Sequence, residues 1–105
     1  MTDKEFLDLC ERVFTAIEDT LDDAPADVET TRSGFVLELE FEDSSQIVIN
    51  ANQPMHEIWV AARSGGFHYR REGEYWVDTR SGAELFAELS RLVSAQAGET
   101  VVFRC

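Results

Sequence analysis

With 105 residues, 44% of them hydrophobic and 10% aromatic, the chain is long enough for one packed core and too apolar to stay disordered. It carries 21 acidic against 9 basic residues, a net charge of −12, which repels nucleic acid and anionic membranes and attracts cations or a basic protein surface. No stretch approaches the roughly 20 apolar residues of a membrane helix, and the acidic start Met1–Glu5 fits neither a signal peptide nor a transit peptide. The expectation is a cytoplasmic protein folded as a single domain over residues 1–105.

The charge is unevenly placed. Residues 1–43 hold 14 Asp and Glu against Lys4, Arg12 and Arg32, a net of −11. Residues 44–105 hold seven acids against six arginines, a net of −1.

In chain order, residues 3–23 read as a helix. Phe6, Cys10, Val13, Ile17 and Leu21 recur at helical spacing, with Leu9 and Phe14 widening the stripe. Ala24-Pro25 ends it, because proline disfavours helix at the preceding residue. Cys10 falls on the apolar face and reads as a small buried hydrophobe, whereas Cys105, the last residue, reads as a loose thiol. Asp27–Thr30 is a candidate short edge strand. Phe35–Glu42 alternates strictly, with Leu37, Leu39 and Phe41 inward and three glutamates outward. Further strands follow at 46–50, 57–63, 67–71 and 75–77, separated by short turns that favour antiparallel pairing.

Ser81-Gly82-Ala83-Glu84 matches a capping box ahead of a second helix. Its apolar stripe is Leu85, Phe86, Leu89, Leu92 and Val93, and Gly98 suits its C-cap. Val101–Phe103 closes the chain as a short strand or a packed tail. Two amphipathic helices each need a greasy face to cover, and an antiparallel sheet offers one while leaving the other wet. The fold class is therefore α+β: a two-layer α-β sandwich with both helices on one face of a mostly antiparallel sheet of five to six strands.

Opposite the apolar stripe of the first helix lie Asp8, Glu11, Glu18 and Asp22, with Asp19 and Asp23 beside them. Glu18/Asp22 and Asp19/Asp23 are like-charge pairs four residues apart, each costing roughly 0.2–0.5 kcal/mol, with no lysine interleaved. The helix dipole is negative at this end and disfavours each exposed anion by roughly 0.3–1 kcal/mol. A face built for solubility alone would carry Lys or Arg there, so the pattern points to a cationic partner. Carboxylates without Cys or His suit hard cations such as iron, manganese, magnesium or calcium. If Ile58, Val60 and Ala62 face the core, Trp59 faces the uncovered side, where it would serve as an interface anchor. Trp76 reads as core, and His56 and His68 as surface polar residues. No nucleophile–base pair, phosphate-cradling loop or dinucleotide fingerprint occurs.

The block Asn50-Ala51-Asn52-Gln53-Pro54-Met55-His56-Glu57-Ile58-Trp59-Val60-Ala61 resembles the signature of the frataxin family, in its bacterial CyaY branch. So do Ser64-Gly65-Gly66-Phe67-His68-Tyr69, Trp76, Asp78-Thr79-Arg80-Ser81-Gly82 and Glu84-Leu85-Phe86. The resemblance spans the chain from the acidic first helix to the Ala97–Val101 tail. It implies an α-β sandwich and a role in iron–sulfur cluster assembly, with ferrous or ferric iron bound weakly along an acidic ridge. Carried over by position, the ridge is Glu11, Glu18, Asp19, Asp22 and Asp23, continued by Asp27 and Glu29 on the following strand. The resemblance also implies docking on the cysteine desulfurase and its scaffold protein, with Glu18, Asp19, Asp22, Asn50, Gln53 and Trp59 as partner-facing residues.

The leading expectation is an iron-binding regulator or iron donor, monomeric unless iron drives oligomers. The enzymatic alternative is a ferroxidase or iron store on the same ridge, which needs two metals held close by bridging carboxylates. A third reading is an acidic interaction module without a physiological metal.

Overall fold

The computed structural model describes residues 1–104; Cys105 and the expectation of a loose thiol there lie outside the described residues. Helix α1 (Asp3–Asp23) is followed by strands β1 (Val28–Ser33), β2 (Val36–Phe41), β3 (Gln46–Asn52), β4 (Glu57–Ala62), β5 (Gly65–Glu72) and β6 (Tyr75–Asp78), then helix α2 (Leu85–Ala97). The strands form one sheet in sequence order, every neighbouring pair antiparallel. This is the expected sandwich with six strands. No helix among the described residues is long and apolar enough to cross a membrane.

Both helices pack on the sheet face that carries Leu37, Leu39, Phe41, Ile47, Ile49, Ile58, Val60, Tyr69 and Trp76. Helix α1 contributes Phe6, Cys10, Val13, Phe14, Ile17 and Leu21; α2 contributes Leu85, Phe86, Leu89, Leu92 and Val93. Cys10 is fully buried, and burial pushes its thiol up to about 12, so it is a packing residue rather than a reactive one. Trp76 is core as expected, with 1% of its surface exposed.

The helix starts differ from each other. Thr2 caps α1 in a full capping box: its hydroxyl accepts from Glu5 N at 3.1 Å, and Glu5 Oε1 accepts from Thr2 N at 2.9 Å. The expected box at Ser81–Glu84 does not form. Helix α2 begins later, with Glu84 itself as N-cap, its carboxylate accepting from Phe86 N and Ala87 N at 2.8 and 3.1 Å. The preceding segment is held instead by Asp78, whose side chain accepts from Arg80 N at 2.7 Å while Glu84 still bridges Val77 in the sheet. Tertiary pairing therefore delays the helix past the serine. Gly98 caps the far end in the left-handed region, φ 73°, as expected.

The candidate edge strand is real but runs on to Ser33. The tail takes the packed alternative: Val101 and Phe103 are buried without strand pairing. Two serines of α2 hold it, Ser94 Oγ accepting from Val101 N at 2.9 Å and Ser90 Oγ from Phe103 N at 2.8 Å.

Candidate functional site

The seven acids of the expected ridge fall into three structural groups. Glu11 and Glu18 form the first, on the middle of α1. The charge pattern leaves them unrelieved, yet Arg32 reaches across from β1 to relieve both. Its two terminal nitrogens donate to Glu11 at 2.7 and 2.8 Å, and one of them lies 3.5 Å from Glu18. The Arg32 hydrogen bonds hold the Glu11 carboxyl below its ordinary range. Period-2 alternation explains the reach. Val28, Thr30 and Arg32 point to the helix side, while Glu29, Thr31 and Ser33 point away.

Asp19, Asp22 and Asp23 form the second group, on the last turns of α1. They are exposed and make no ion pair among the described residues. The last turn of α1 contains no basic residue, so these acids face the negative end of the dipole unrelieved.

Asp27 and Glu29 form the third group, and the structure separates them from the helix ridge. Glu29 lies on the open sheet face directly opposite Glu40. Asp27, Glu29, Glu40 and Glu42 line a shallow cleft of about 260 Å3 with Phe41 and Ser44, and no cationic side chain lines it. Alternation turns Glu40 and Glu42 outward in the sequence. Their meeting with Glu29 depends on the β1–β2 register. Among the described residues no three His, Cys, Asp or Glu side chains are gathered in a geometry that could hold one metal ion.

The open face also carries the aromatic patch. Trp59 is half-buried with no helix over it. Its cross-strand neighbours are Asn50 on β3 and His68 on β5. The His68 ring stacks on the indole at 4.2 Å, 9° from parallel. Beside Trp59 on the same strand is Glu57, 4% exposed, a residue not singled out in the sequence. Trp59 Nε1 donates to Glu57 Oε1 at 2.9 Å, and Arg70 lies 3.4 Å from Oε2. The i, i+2 spacing of Glu57 and Trp59 places both on one face.

Gln53 stands apart from this patch. It lies in the β3–β4 loop, where its amide donates to Asp3 at 3.0 Å beside the His56–Asp3 contact of 2.7 Å. His56 also stacks on Phe6 at 4.9 Å, so neither histidine is isolated.

A model of the frataxin-like domain matches residues 1–99. The chain belongs to the frataxin family. Among relatives, the iron-sulfur cluster assembly protein CyaY of Cupriavidus taiwanensis is 52% identical over 107 residues, covering 98% of this chain and 96% of that one. The solved frataxin of Psychromonas ingrahamii matches at a TM-score of 0.94 and 37% identity, with 100% of both chains covered. A trimeric frataxin of the yeast Saccharomyces cerevisiae, in a ferrous complex, matches at a TM-score of 0.72 and 23% identity. It covers 94% of this chain and 88% of its own, a likeness of fold. The frataxin sandwich implied by the Asn50–Ala61 block is thus the fold observed.

Proposed function

We propose that this protein serves iron–sulfur cluster assembly as a single-domain, monomeric, cytoplasmic frataxin. It would hold ferrous or ferric iron weakly and dock on the cysteine desulfurase and its scaffold. The 52% identical relative, an iron-sulfur cluster assembly protein, supports the process. The observation that carries the chemistry is the pair of unrelieved acidic patches, Asp19/Asp22/Asp23 and the Asp27–Glu29–Glu40–Glu42 cleft.

An all-carboxylate donor set suits a hard cation. With no three ligands gathered among the described residues, iron is held loosely by the summed field rather than in a closed cage. The same geometry favours passive binding over the ferroxidase alternative, whose bridged metal pair needs carboxylates brought together. The basic partner meets the end of α1, and Asn50 with Trp59 forms an uncharged second contact.

The test is the affinity for the cysteine desulfurase across salt concentrations. Affinity is expected to fall as salt screens exposed charge, and to fall severalfold in Asp22→Lys/Asp23→Lys. An affinity flat in salt and unchanged in that variant would sink the docking model. Oxygen consumption per ferrous ion separates passive binding from oxidation.

A further inference from the structure

The cleft between α1 and the β5–β6 hairpin carries chemistry that the frataxin reading leaves unused. It encloses about 200 Å3, with Val13 and Phe86 among its apolar walls and Tyr75, 51% exposed, among its lining residues. Two guanidinium groups there lack a carboxylate partner among the described residues, beside a buried indole. Trp76 is 1% exposed and its Nε1 has no partner among the described residues. Arg12 lines the cleft and joins no ion pair among the described residues. Arg71 lies over the Trp76 ring, its Cζ 5.5 Å from the centroid, and donates through Nε to Gly73 O at 3.0 Å, leaving its terminal nitrogens unused.

The acceptors nearby do not balance these donors. The Glu84 carboxylate already caps α2 through Phe86 N and Ala87 N, and Glu74 sits on an exposed turn. In a chain with 21 acidic residues, two arginines in one cleft without carboxylate partners among the described residues leave an acceptor to come from outside. Guanidinium forks match carboxylates well.

We propose that this cleft binds a small monocarboxylate with a flat apolar body. Its carboxylate accepts from Arg12 and Arg71, and its ring lies among Val13, Tyr75 and Phe86. Two limits narrow the class. The volume falls below the roughly 300–1,000 Å3 of drug-sized sites, so the ligand is fragment-sized. The net charge of −12 opposes a multiply charged anion such as phosphate more than a monoanion.

Titration of the 15N-labelled full chain with sodium benzoate tests this, with benzyl alcohol and acetate as controls. The Trp59 Nε1–H, bonded to Glu57, is the internal reference. Benzoate is expected to shift the Trp76 Nε1–H saturably at millimolar concentration and leave Trp59 still, with weaker responses to both controls. Arg12→Gln and Arg71→Gln should each weaken binding about tenfold, as for a lost charged hydrogen bond. Arg12 is exposed, so its variant tests the idea even if Arg71→Gln loosens Trp76. An unmoved or non-saturating Trp76 signal, an equal response to benzyl alcohol, or full affinity in Arg12→Gln would overturn it.

Discussion

Arg32 on β1 and Glu11 on α1, 21 positions apart, are joined by two parallel hydrogen bonds of 2.7 and 2.8 Å. The guanidinium also lies over Phe14 and Phe35, 5.0 and 5.7 Å from their centroids. It thus clips the edge strand to the helix while relieving the acidic face. Arg32→Gln is expected to cost about 1–2 kcal/mol, mostly from lost stacking. Melting should fall by roughly 4–8 °C per kcal/mol. The Glu11 carboxyl is held below its ordinary 4.5 by this pair. A depressed folded value stabilises fully above that pH and fades as pH falls through the folded value. The stability gap between wild type and Arg32→Gln should therefore narrow below pH 4.5, as denaturant melts across pH will read.

Glu57 holds the Trp59 indole through its Nε1–H. Removing the carboxylate leaves the indole N–H and Arg70 without their acceptor, so Glu57→Ala should cost roughly 1–3 kcal/mol. Glu57→Gln keeps a carbonyl acceptor and should cost less. Exchange of the Trp59 Nε1 proton distinguishes the two, being fast in the alanine variant and near wild type in the glutamine one. Equal exchange in both would show that the indole is held by His68 stacking alone.

The tail depends on two hydroxyls. Ser94→Ala strips the acceptor from Val101 N, and Ser90→Ala strips that from Phe103 N. Each should cost about 1 kcal/mol. Amide exchange at Val101 and Phe103 should accelerate before the sheet is affected, since terminal segments open locally at less than the global cost.

Legibility followed the range of the interactions. Both helices, the inward set of β2 and the exposed face of Trp59 follow from periods of 3.6 and 2, and each appears as expected. Local capping rules held at Gly98 and failed at Ser81, where Glu84 stays paired to Val77. Features that need two distant segments were not legible. Arg32 reaching Glu11 requires knowing which side of β1 faces α1. The acidic cleft requires the register that sets Glu29 against Glu40. The first made the helix ridge less strained than its own residues suggest, and the second moved Asp27 and Glu29 to another face.

Glu29 and Glu40 provide the sharpest test of whether acidity here serves binding. Like charges directly opposite on neighbouring strands destabilise a sheet by roughly 0.2–1 kcal/mol, and Asp27 and Glu42 crowd the same cleft. Glu40→Gln removes the clash without changing shape. At low salt it should raise stability by a few tenths of a kcal/mol or more, and the gain should shrink at high salt as screening takes over. If the cleft collects cations, the same variant should weaken ferrous binding, read by NMR shifts at Asp27, Glu29 and Glu42 under iron titration. A more stable protein with weaker iron binding means stability is given up here for attraction. A more stable protein with unchanged iron binding assigns the iron to the Asp19–Asp22–Asp23 end of α1 instead.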